Sequence, residues 1–197
     1  VLRQRIMDGA MAEMHERGIK FTMDDLARRL GMSKRTLYEN FSSKEELVGS
    51  LLAAAIAELK AKREAIARDE TLDIREKFRQ MMTVRPALWS ERTENLMLDI
   101  KRSMPEQCKK LESTMDELWQ VIEDLLHEGA RTGYFRPVFF PVIRAMFKGA
   151  YNELSAYKLL REHRLTVTEM LNETLDILMY GVVVTERDEE RVRGKTQ

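Results

Sequence analysis

Ser33, Lys34, Arg35, Thr36, Tyr38 and Asn40 fall within eight consecutive positions. Lysine and arginine hold phosphates, hydroxyls donate to them, and arginine or asparagine forks match base edges. Thr22 and Lys44 flank the run. The chemistry on offer is anion binding combined with base reading. Bond-making chemistry has no comparable constellation. His15, His127 and His163 are scattered, and there is no cysteine pair, glycine-rich phosphate loop or nucleophile elbow. An enzyme, a metal centre or a bound cofactor is therefore not expected. Cys108 lies beside Lys109 and Lys110. It reads either as an inert thiol near a helix start or as one with a lowered pKa.

The elements that would carry these residues are short helices. Thr22 is a good N-cap, with Asp25 at capping-box distance. Leu26, Ala27 and Leu30 recur at helical spacing, and Gly31 stands where a left-handed C-cap belongs. Ser33 caps a second short helix with Leu37, Tyr38 and Phe41 as its stripe. Its N-terminus offers free backbone N–H groups to an anion. Ser42 or Ser43 caps a third, with Glu45 and Glu46 following. Helix, glycine-containing turn, helix is the helix-turn-helix pattern. From spacing alone the same residues also read as a solvated corner of a helical protein.

The run G-M-S-K-R-T-L-Y-E-N-F-S-S-K-E-E-L, preceded by R-G-I-K-F-T-M-D-D-L-A-R-R-L, closely resembles the DNA-binding domain of the TetR/AcrR family of bacterial transcriptional regulators. The likeness covers Leu2 to about Leu52 and includes Gly18, Thr22, Ala27, Gly31, Ser33, Thr36, Leu37, Tyr38, Phe41, Lys44 and Leu47. It implies that Tyr38 and Lys44 clamp phosphate. Glu39 and Asn40 depart from the family's aromatic, His or Tyr residues, which bears on base preference and affinity rather than on the module.

Formal net charge is zero over 197 residues, which does not advertise nucleic-acid binding. The first fifty residues carry nine basic and eight acidic side chains, a net of +1. Binding must rest on clustering: Arg28, Arg29, Lys34 and Arg35 form a stretch without an acid. A dimer would double that footprint. Arg3 and Arg5 read either as phosphate contacts or as solvated charge. A single cysteine fits a reducing cytoplasm, no apolar run is long enough to span a membrane, and no signal peptide is visible. The chain begins at Val1 rather than Met, leaving room for an N-terminal arm.

Hydrophobic content of 44% excludes a disordered chain, and 9 Gly and 4 Pro favour long helices. The expected fold is all-α, with about nine helices. Residues 1–50 form a DNA-binding domain, and 51–197 a larger ligand-binding and dimerisation domain. A helix from Ser43 to about Ile66 joins the two. Helices are expected from Leu72 to Val84, from Leu88 to about Met104, from Pro105 towards Gly133, from Pro141 through Leu154, and from Leu165 to about Thr185. The thirteen Met residues and the aromatics between them read either as ordinary core or as the wall of an adaptable apolar cavity. The candidate wall is Phe78, Met82, Trp89, Met97, Trp119 and Phe147. The family resemblance implies an inducer site between such helices. It also implies a homodimer formed by the last two long helices.

The resulting expectation is a cytoplasmic repressor on a palindromic operator of double-stranded DNA, released by a small, largely apolar effector. The alternatives are a ligand-independent regulator or activator of the same fold, and a helical enzyme.

Overall fold

The computed structural model describes residues 1–89, 96–154 and 162–180, apart from the side chains of 97, 98, 111–113 and 151–154. Among the described residues it is all helix and turn, with no strand. The first helix, α1 (Leu2–Arg17), stops at Gly18, whose φ of 63° favours glycine. A 3₁₀ turn over Gly18–Lys20 leads to α2 (Met23–Leu30) and α3 (Lys34–Asn40). Then come α4 (Lys44–Arg68) and α5 (Ile74–Thr83). The Asp73 carboxylate caps α5, accepting from the Arg75 and Glu76 N–H groups at 2.9 and 2.8 Å.

The helix expected from Leu88 does not begin there as an α-helix. Pro86 cannot continue a helix, and its carbonyl accepts from the Trp89 N–H at 3.0 Å, closing a 3₁₀ turn over Ala87–Trp89. The next described helix, α6, covers Leu96–Ser103. Pro105 then occupies the first turn of α7 (Pro105–Arg131). The last two described helices are α8 (Phe140–Leu154) and α9 (Val167–Tyr180). Thr166 and Glu169 form a capping box at the head of α9, a T-x-x-E pattern legible in the sequence and missed there.

The apolar stripes build two main cores. One joins α1, α2, α3 and the first half of α4 with Leu88, Leu96, Ile100 and Met104. The other joins α5, α7, α8 and α9. Between them Ile56 and Leu59 of α4 meet Leu118 of α7. At 1.5 Å per residue α4 is about 37 Å long, and its side chains enter both the first core and this junction.

Candidate nucleic-acid interface and interior cavity

The local chemistry of α2 and α3 follows from their caps. The Thr22 hydroxyl accepts from the Asp25 N–H at 3.1 Å, and the Asp25 carboxylate accepts from the Thr22 N–H at 3.0 Å. The Thr22 hydroxyl, which donates to the same carboxylate at 2.6 Å, and then its N–H hold the Asp25 carboxyl below its ordinary pKa, with Arg17 and Arg28 adding to the effect. Gly31 is left-handed at φ 61°, ψ 36°, and the Met32 N–H returns to the Ala27 carbonyl at 3.0 Å. Ser33 then caps α3, its hydroxyl accepting from the Thr36 N–H at 3.0 Å. Leu26, Leu37 and Phe41 are fully buried beneath. Each contributes about 1.5–3 kcal/mol of apolar burial, so the outer face of α3 is held by its inner one.

That outer face carries the expected side chains. Lys34, Arg35 and Tyr38 are exposed, and Ser33 and Thr36 lie at the helix start. Lys34 and Arg35 occupy the first turn, where the helix dipole disfavours cations; an anionic partner would reverse that cost. Carboxylates hold both for now: Lys34 pairs with Asp24, and Arg35 donates to Glu39 at 2.9 Å. The Asn40 amide donates to the Thr36 carbonyl at 2.8 Å, turned back along its own helix. Lys44 is half-buried: its ammonium donates to the Ile19 carbonyl and lies 4.6 Å from the centre of the Phe21 ring. Burial lowers its pKa.

Several other basic residues brace the module. The Arg3 guanidinium donates to the Asn40 carbonyl and stacks 3.9 Å from the Phe41 ring centre. Arg5 donates to the Leu30 carbonyl at 2.9 Å. Both therefore sit at helix C-termini, where cations are favoured. Arg29 pairs with Glu16 and, at 2.6 Å, with Glu13, whose side chain is only 3% exposed. Those two carboxylates raise the pKa of Arg29. Of the basic stretch seen in the sequence, Arg28 and Arg35 stand furthest into solvent.

Behind the reader lies a cavity of about 270 Å³. Leu52, Ile56, Leu59 and Arg63 of α4 form one wall. Met82, Trp89, Trp119 and Phe147, four of the six residues expected there, line it too. Trp119 and Phe147 meet edge to face at 6.1 Å between ring centres. Phe78 instead lines a second cavity of about 300 Å³ beside Phe135, its ring 5.7 Å away and edge to face. The side chain of Met97 lies outside the described residues.

Sequence reading missed Arg63, which is 7% exposed. It sits on the apolar face of α4, and a charge in an apolar stripe is the signal that could have found it. Its Nε donates to the Met81 carbonyl and its Nη1 to the Leu118 carbonyl, both at 3.0 Å. Burial lowers its pKa to about 10. The described residues include no cluster of His, Cys, Asp or Glu that could hold a metal ion, and no described helix is long and apolar enough to cross a membrane.

A capped helix pair with a cationic outer face, joined by one long helix to a hollow helical body, defines a helix-turn-helix transcriptional regulator. Residues 6–51 match the family model for "Bacterial regulatory proteins, tetR family". The HTH-type transcriptional regulator YvaF of Bacillus subtilis (strain 168) is 30% identical over 93% of this chain and 96% of its own. The chain belongs to the TetR family of bacterial transcriptional regulators, and it is a regulator rather than an enzyme. The crystal structure of PfmR from Thermus thermophilus is similar over 91% of this chain and all of its own, with 25% identity and a TM-score of 0.69. The fold is also that of FadR from Bacillus subtilis, solved with stearoyl-CoA: TM-score 0.64, 19% identity, 91% of this chain and 99% of that one.

Proposed function

We propose that the protein is a cytoplasmic, homodimeric repressor that leaves a palindromic operator when a small, largely apolar ligand fills the cavity behind its reader. One observation carries this reading. Helix α4 begins at the reader with Lys44, and its Leu52, Ile56, Leu59 and Arg63 wall the cavity. A change in the cavity therefore acts on the helix that positions the DNA-binding surface. Residues 1–50 serve as the reading domain and 51–197 as the ligand-binding and dimerisation domain. Lys34, Tyr38 and Lys44 take phosphates, with Thr22 and Ser33 at the helix starts. Arg35, Thr36 and Asn40 reach base edges. Met82, Trp89, Trp119 and Phe147 contact the ligand.

The cavity favours this over a ligand-independent regulator, for which a packed middle would be expected. The stearoyl-CoA held by FadR of Bacillus subtilis supports the same choice. Dimerisation through α8 and α9 is supported by the apolar side chains they leave exposed: Val142, Met146, Ile177 and Tyr180, each about half exposed. The inner stripes do not serve there, because Phe147 and Leu171 are buried within the subunit. Met146→Glu combined with Ile177→Glu should give a helical monomer by sedimentation, where the wild type sediments as a dimer.

The deciding experiment is fluorescence anisotropy on DNA flanking the gene, with and without medium-chain apolar ligands. Binding that ligand reverses supports the proposal. Binding that no ligand changes favours the ligand-independent regulator instead.

A further inference from the structure

We infer that the cavity accepts a ligand with an apolar body and an anionic head, and that Arg63 of α4 is the anchor of that head, assisted by the indole N–H of Trp89. This deepens the effector-cavity reading above and rests on it.

The starting point is an unbalanced charge. Arg63 is almost wholly removed from solvent, yet among the described residues no carboxylate pairs with it. Its two hydrogen bonds go to backbone carbonyls, which a neutral amide such as glutamine could also satisfy in kind. Carbonyl dipoles do not neutralise a buried guanidinium, and an uncompensated buried charge is costly. The lowered pKa has burial as its sole cause, with no acid to offset it. An anion arriving in the cavity would supply the missing counter-charge.

Trp89 is a second, independent observation. Its Nε1 is buried and has no hydrogen-bond partner, although the side chain lines the same cavity. A buried indole N–H normally finds an acceptor. Arg85 and Lys148 also line the cavity, and no Asp or Glu does among the described residues. Apart from backbone, the polar groups on this wall are thus donors and cations. The remaining lining is aliphatic, aromatic and sulfur-bearing: Leu52, Ile56, Met82, Met115 and Phe147 among others. An engineered apolar cavity of about 150 Å³ holds benzene, so about 270 Å³ suits a longer apolar body. A carboxylate and the phosphates of a coenzyme A thioester both meet these requirements.

Calorimetric titration of the intact protein with decanoate, decanoyl-coenzyme A and decan-1-ol tests the inference. One of the two anions should bind at least about tenfold more tightly than the alcohol, the scale of one charge-assisted hydrogen bond. Preference for decanoate assigns a carboxylate head, and preference for the thioester alone assigns the phosphates. Arg63→Gln should remove the discrimination while leaving affinity for the alcohol in place. Trp89→Phe should reduce it in part. Should Arg63→Gln fail to fold, the wild-type comparison and Trp89→Phe still decide. Equal binding of alcohol and anions by the wild type overturns the anionic head but leaves an effector cavity standing. Undiminished discrimination in Arg63→Gln overturns Arg63 as anchor. Binding of none of the three overturns both the head and the effector cavity.

Discussion

Asp24 of α2 pairs with Lys34, the first residue of α3. The pair ties the two helices of the reader together across the turn, and it masks a cation that faces outward. A phosphate contact by Lys34 must therefore displace Asp24, whose own charge repels DNA. Asp24→Asn should raise affinity for all DNA sequences and steepen the salt dependence by about one unit of slope. Lys34→Ala should flatten it by about as much. Anisotropy titrations at several salt concentrations measure both. An unchanged slope in each variant would remove Lys34 from the phosphate contacts.

The same accounting of charges separates Arg29 from its neighbours. Arg29 of α2 holds Glu13, an almost fully buried carboxylate of α1. Without Arg29 the buried Glu13 carboxylate would keep only the more distant Arg17, at 3.5 Å, to offset its charge. Arg29→Ala should thus lower the thermal midpoint, whereas Arg28→Ala, at a side chain 80% exposed, should not. Adding Glu13→Gln to Arg29→Ala should recover part of the loss. A midpoint in Arg29→Ala equal to that of Arg28→Ala would contradict the assignment.

Arg29 also shows where reading the sequence stops. The helix-turn-helix was legible because its determinants are local: Thr22 with Asp25, Gly31, Ser33, and the stripe through Leu37 and Phe41 all act within a few residues of one another. The role of a cation is not local. Arg28 and Arg29 are adjacent and chemically alike, yet only the structure shows that one meets Glu13, sixteen residues away. Trp89 and Phe78 differ for the same reason. Both fit an apolar wall, and the path of the chain after Pro86 put Trp89 on one cavity while Phe78 went to another. Arg63 was hidden by expectation, since an apolar stripe directs attention to its hydrophobic members.

The capping box of α2 makes a pH-dependent prediction. Thr22 donates to the Asp25 carboxylate through its hydroxyl at 2.6 Å and its N–H at 3.0 Å, and these bonds hold the Asp25 pKa below its ordinary value. A carboxyl with a lowered folded-state pKa adds stability above its unfolded value, and that stability is lost as pH falls through the folded value. Thr22→Val removes the hydroxyl and keeps the shape. Urea denaturation should show the variant less stable at neutral pH, with the gap narrowing as pH falls below the ordinary carboxylate range. A gap that stays constant down to about pH 2 would mean that the hydroxyl acts without the Asp25 charge.

Filling the cavity should uncouple the ligand from DNA. Met115 of α7 is partly buried at the cavity wall, across from the Leu59 face of α4. Met115→Trp adds bulk where the ligand would lie, and it leaves the caps and contacts of α3 untouched. A dimer of helix-turn-helix readers must place its recognition helices about 34–36 Å apart, one turn of DNA. On the proposed mechanism, ligand would release DNA by favouring a state in which that spacing is wrong. Linkage then requires a ligand that weakens DNA binding tenfold to bind the DNA complex about tenfold more weakly. In Met115→Trp the operator should bind as in the wild type, while the concentration of medium-chain ligand needed to release it rises. Spin labels at Glu39→Cys on both subunits, in a Cys108→Ser background, report the spacing directly. Ligand should shift that distance distribution in the parent and leave it in place in Met115→Trp. Should the ligand bind the parent tightly and change neither the distances nor the operator affinity, α4 does not transmit the signal.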